Sequence, residues 1–257
     1  MEGDVTDRSR TGDLVEMLRE SMPISVTSLS IGEAGTGLVI VDEVNGFATV
    51  GCGNLAPAQE NPQVTAMIEE TDRLARAFQR TGWPILAFLD THQPGKPEPP
   101  YPPHCERGTG EEELVPALKW LADAPAATLL RKDCINGFVG AIRPDGGNSV
   151  TEWINDNCLR RLLVVGICTD ICVMDFVLTM LSARNHGLVP SLEDIVVHTE
   201  ACATYNLPRD IASGLGLPET AAHPQDPAHH MGLYFMASRG AILADRVEIA
   251  AASAAAE

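Results

Sequence analysis

Short runs of consecutive apolar residues, each closing on a polar one, recur along this chain. They alternate with segments whose apolar residues fall three and four apart. Unbroken apolar runs of this length mark strands buried on both faces, as in parallel sheets. Leu38 to Val41 is the first, with Asp42 at its carboxyl end. Trp83 to Leu89 is the second and closes on Asp90, and Thr128 to Lys132 is the third. Leu162 to Val165 is the fourth and leads into GICTDICVMDF, Gly166 to Phe176. Ile195 to Val197 begins a fifth, and Ala241 to Ile249 supplies the sixth. Between them, Val64, Met67, Ile68, Leu74, Ala75 and Phe78 share one helical face, opened by Asn61-Pro62 and closed by Gly82. Further helices are expected over 13–21, 111–121 and 149–158, after Cys172 as far as Gly187, and over 229–239. Strand–helix alternation throughout predicts an α/β fold: a doubly wound, mainly parallel six-stranded sheet with helices on both faces. Residues 1–36 read as an N-terminal extension, 37–249 as the domain and 250–257 as an Ala-rich tail.

Composition narrows the function. The 257 residues carry a net charge of −17, with no basic patch. That balance repels nucleic acid and anionic membrane surfaces alike. No run reaches membrane-spanning length, and the polar first ten residues lack a signal-peptide core. Seven cysteines make an odd count without framework or CxxC spacing. A soluble protein of a reducing compartment, the cytoplasm, is the expectation.

The candidate chemistry lies at strand ends. Cys172 sits just past the fourth strand, where a helix begins. Helix N–H groups and dipole lower a thiol pKa at such a position, and they can hold an oxyanion. Asp42, Asp90 and Lys132 close the other three strands. In open α/β sheets, ligands bind at these carboxyl ends. Asp90 and His92 are separated by one residue, so their heads can converge, and His104 returns at the far end of the Pro-rich loop DTHQPGKPEPPYPPHC. One carboxylate and two imidazoles make a workable site for zinc, iron or manganese, with water completing the shell.

The segments DEVNGF with GCGNLAP, FLDTHQP, EPPYPPHC, RKDCINGF, GICTDICV and AHPQDPAHHMGL run in order from about Gly37 to Gly240. In these the chain resembles the isochorismatase-like cysteine hydrolases, and among them the plant-type nicotinamidases. The resemblance implies a triad of Asp42, Lys132 and Cys172, acting as general base, cation and nucleophile. It implies a cis peptide at Ile167–Cys168, and an oxyanion hole from the backbone N–H groups of Cys168 and Cys172. It implies Phe47, Tyr101, Ile167 and Ile171 around the substrate. It makes Asp90, His92 and His104 ligands of one divalent transition metal per chain, and it implies nicotinamide as substrate and a homo-oligomer. His223, His229 and His230 match the plant-type pattern and read as structural. The other five cysteines gain no role. Two rival readings stand beside this one. The first is an amidase for maleamate, ureidoacrylate or a carbamoyl compound, whose carboxylate would call on Arg131 or Arg107. The second is a binding member of the fold without catalysis.

Overall fold

The computed structural model describes residues 2–32, 35–96 and 98–250. Its centre is one parallel sheet of seven strands: β1 Val26–Ile31, β2 Thr36–Val41, β3 Ile85–Asp90, β4 Ala127–Lys132, β5 Arg161–Ile167, β6 Asp194–Ala203 and β7 Ile242–Ile249. Their spatial order is β1-β7-β6-β5-β2-β3-β4. The chain thus builds β3 and β4 on one side of β2, then crosses to place β5 on the other. The reversal falls between β2 and β5, the place where such sheets open a binding crevice.

Side-chain alternation along the strands fills two layers. Val39, Val41, Leu86, Phe88, Leu162 and Val164 face one way, and Leu38, Ile40, Ile85, Ala87, Leu163 and Val165 face the other. The helices are α1 Glu2–Ser21, α2 Asn45–Ala48, α3 Pro62–Thr81, α4 Gly137–Gly140, α5 Ser149–Asp156, α6 Met174–His186, α7 Arg209–Gly214 and α8 Gln225–Ala237. The first layer is closed by α5, α6 and α8, the second by α3 and a 3₁₀ segment, Pro116–Asp123. Asn61 caps α3 by accepting from the N–H groups of Gln63 and Val64, and Gly82 ends it at φ 70°.

The sheet has seven strands where six were expected. The seventh, β1, lies within the expected extension and pairs with β7 at the sheet edge. Only Ile31 of its six residues is fully buried, so its sequence carries no apolar run. The helix expected over 111–121 is instead the shorter 3₁₀ segment. Pro116 cannot donate within a helix, and Glu111 and Glu112 turn back to accept from the N–H groups of Cys105, Gly108 and Gly110. From residue 251 on, the expected tail lies outside the described residues.

Gly166, at φ 124°, marks the closest approach in the sheet. A Cβ there would stand 2.1 Å from the Val41 carbonyl oxygen. Glycine therefore lets β5 lie tight against β2 where their ends carry Cys172 and Asp42.

Candidate active site

The strand ends bring the expected residues together. Lys132 Nζ lies 2.8 Å from Asp42 Oδ2 and 3.0 Å from Asp90 Oδ1, and it donates to the Cys134 carbonyl at 2.9 Å. Two of these contacts, to Asp90 and Cys134, are hydrogen bonds, and the third is an ion pair with the Asp42 carboxylate. Asp42 and Lys132 are almost wholly buried. Asp42 takes φ 54°, a left-handed conformation that turns the chain out of β2. The Cys172 thiol completes the group as an electrostatic neighbour of both Asp42 and Lys132. Cys172 stands in a short π-helical turn, Thr169–Val173, which runs straight into α6. Ile167–Cys168, immediately before it, is a cis peptide as expected.

Burial governs the charges. It pushes the Cys172 thiol well above its ordinary value, and Lys132 opposes this without overcoming it. This corrects the expectation that the helix start lowers the thiol. Burial also raises the Asp42 carboxyl; Lys132 pulls it back, and it settles at about 6. For Lys132, burial disfavours the charge, but Asp42, Cys172 and Asp90 outweigh it and keep the ammonium protonated. Asp90 is buried as well, yet Lys132, His104 and His92 hold it well below the carboxylate range.

Beside this group stands a second one. Asp90 Oδ2 faces His92 Nε2 at 3.0 Å and His104 Nε2 at 3.3 Å, and all three residues are buried. Glu98 also points in: its Oε2 lies 3.5 Å from both imidazole nitrogens, while its Oε1 accepts from the Ile135 N–H. The sequence reading missed Glu98 and left that place to water. Donors about 2.1 Å from a tetrahedral ion stand about 3.4 Å apart, so these spacings fit a metal. The chemistry fits too. His104 Nδ1 donates to the Pro102 carbonyl at 2.7 Å, which makes Nε2 the nitrogen it would offer to a metal ion.

Phe47 and Tyr101 flank this second group, their ring centroids 5.6 Å and 6.0 Å from that of His104. Ile171 is partly buried, whereas Ile167 is enclosed in the core on the α3 side. Each of the three plant-type histidines has a structural partner. His223 Nε2 faces Asp170, His229 Nδ1 faces the Thr169 hydroxyl, and His230 Nε2 donates to the Met22 carbonyl. Arg131 donates to Thr91, the Glu112 carbonyl and Glu113, and Arg107 is exposed.

Comparison with known proteins follows the same lines. The isochorismatase domain family matches residues 36–245. Nicotinamidase 1 of Arabidopsis thaliana is 49% identical over 236 residues, which span 91% of this chain and 96% of that protein. The crystal structure of a Bacillus subtilis nicotinamidase superposes with a TM-score of 0.59 at 26% identity, covering 82% of this chain and 99% of that one. A Pyrococcus horikoshii pyrazinamidase, solved in complex with zinc, shares the fold with a TM-score of 0.55 at 21% identity, covering 81% of this chain and 98% of that one. With the family match running from β2 into β7 and the strand ends carrying a thiol, a lysine and two aspartates in contact, this chain belongs to the isochorismatase family.

Proposed function

We propose that this protein hydrolyses nicotinamide to nicotinate and ammonia, with Cys172 as nucleophile. The observation that carries the reading is Lys132, which joins Asp42 of one group to Asp90 of the other. One buried cation thereby sets the distance between a nucleophile and a ring-holding site. The 49% identity to an Arabidopsis nicotinamidase supports the same substrate.

The thiol is protonated at rest, so Asp42 takes its proton as sulfur attacks the carboxamide carbon. Lys132 steadies the negative charge that passes between Asp42 and Cys172. The Cys168 and Cys172 N–H groups receive the developing oxyanion. Asp42 returns the proton to the departing nitrogen, and ammonia leaves a thioester on Cys172. Asp42 then takes a proton from water as its oxygen attacks the thioester carbon. The carbon–sulfur bond breaks, nicotinate departs, and the thiol is restored. Asp90, His92, Glu98 and His104 would hold one divalent transition ion: zinc, iron or manganese. When bound, that ion supplies a Lewis-acid point for the pyridine nitrogen. Phe47 and Tyr101 hold the faces of the ring.

The rival substrates need a free cation for their carboxylate. Arg131 already donates to Thr91, the Glu112 carbonyl and Glu113, which leaves the exposed Arg107 as the cation such a carboxylate would call on. Ammonia release from nicotinamide, pyrazinamide, benzamide, maleamate and ureidoacrylate tests the reading. Nicotinamide and pyrazinamide should be turned over well, and benzamide, which has no ring nitrogen, poorly. Preference for maleamate or ureidoacrylate would overturn it.

A further inference from the structure

The segment that follows β6 is tied to the turn that carries Cys172. In the parallel register Ile167 sits opposite Ala203, so Cys168 and the pair Thr204–Tyr205 leave the sheet side by side. Thr204 and Tyr205 are the neighbours that oppose the burial of the Cys168 thiol. Thr204 Oγ1 donates to Asp170 Oδ1 at 2.6 Å, and Asp170 lies two residues before Cys172. Asp170 Oδ2 in turn faces His223 Nε2 at 2.8 Å, and His223 Nδ1 lies 2.9 Å from the Tyr205 carbonyl. Leu207 and His223 exchange two backbone hydrogen bonds, which close the loop between them at its neck.

Both His223 nitrogens face atoms that only accept, a carboxylate and a carbonyl. Both must therefore carry hydrogen, and the ring is an imidazolium. It lies flat on the Tyr205 ring, with centroids 3.8 Å apart and planes 13° from parallel, so that its charge meets the ring face. Tyr205 is only half-buried. Burial raises its phenol, and Cys168, Tyr101 and Asp170 act in the same direction, which makes these three its electrostatic neighbours. Among the charges that raise Tyr101, Cys172 comes first after burial. Tyr101 thus lies toward the Cys172 thiol, and Tyr205, from a different loop, toward Cys168 and Tyr101.

We propose that Tyr205 is a substrate-contact residue that closes the pocket beside Tyr101, and that His223, pinned to Asp170 of the nucleophile turn, is the positioning residue that holds its ring. The inference rests on the nicotinamidase reading and deepens it. It assigns the segment after β6, braced by His223 at the neck of the 207–223 loop, the task of presenting a third aromatic wall to a planar aromatic amide.

Steady-state kinetics of the full chain on nicotinamide test this. Tyr205→Ala should raise KM at least tenfold with kcat changed less than threefold. Tyr205→Phe should stay within twofold of wild type in both. His223→Ala should raise KM in the same way, and His223→Gln, which keeps one donor for Asp170, should fall between. The double variant Tyr205→Ala/His223→Ala should be no worse than the poorer single one, since both changes remove the same wall. Unchanged KM in Tyr205→Ala, or strictly additive effects, would overturn the proposal. If His223→Ala does not fold, the Tyr205→Ala and Tyr205→Phe pair decides alone. Wild-type turnover separates this failure from that of the activity reading. Should wild type prefer another amide of the panel, the same variants are measured on that amide, where an unchanged KM would again overturn the wall.

Discussion

Asp42 is where burial and a neighbouring cation are most closely balanced, and the balance sets a pH limit. Its carboxyl sits at about 6, raised by burial and drawn back by Lys132. Below that pH it is protonated and cannot accept the thiol proton. We expect kcat/KM to fall about tenfold per pH unit below 6, measured as initial ammonia release from pH 4.5 to 8, and Asp42→Asn to be inactive throughout. Its neighbour Glu43 points away from the site and affects stability instead. Glu43 is wholly buried, accepts only from Thr71 Oγ1 at 2.6 Å, and has no partner for Oε2 among the described residues. Burial lifts its carboxyl to about 8. A folded pKa above the unfolded one gives a contribution that is full below about 4.5 and lost as pH rises through 8. Glu43→Gln should therefore melt several degrees higher than wild type at pH 9, by roughly 2–4 °C per kcal/mol, and differ little at pH 5. Thermal melts at the two values check this, and an equal shift at both would contradict it.

Among the helices, α8 bears most directly on the site. A Cβ on Gly232 would stand 2.8 Å from Asp170 Cα, so the helix lies flush against the nucleophile turn. Gly232→Ala must push that turn or the helix aside. We expect a loss of about 1–3 kcal/mol in stability and, since a 1 Å displacement can cost about 100-fold in rate, a loss of 10- to 100-fold in kcat. Denaturant unfolding and kinetics on the same preparation separate the two. The other side of α8 receives α1, and His230 Nε2 donates to the Met22 carbonyl. The Pro-rich loop does comparable work for the second group, since it delivers both Glu98 and His104. His104→Ala or Glu98→Ala should lower bound metal from about one ion per chain toward none, as elemental analysis would report.

Across the whole molecule, the sheet was legible wherever strands are buried on both faces, because β2, β3 and β5 then become unbroken apolar runs ending at Asp42, Asp90 and the turn before Cys172. The edge strand β1 was not, since Thr27, Ser28 and Ser30 can lie in a half-exposed strand without any pattern. Prolines showed that residues 91–105 form no helix or strand, but composition does not fix a loop's path, and Glu98 was passed over. It is the only acidic residue between His92 and His104, a signal that counting carboxylates in that loop would have caught. The thiol pKa was misjudged because position along the helix is visible in sequence and depth of burial is not. The contact among Asp42, Lys132 and Cys172 depends on strand order, which the alternation alone leaves open. The most direct test of the account is the release of nicotinate and ammonia from nicotinamide by wild type, Cys172→Ala and Cys168→Ala. Equimolar products from wild type, none from Cys172→Ala and substantial turnover by Cys168→Ala are the result expected. Activity retained in Cys172→Ala, or abolished in a folded Cys168→Ala, would contradict it.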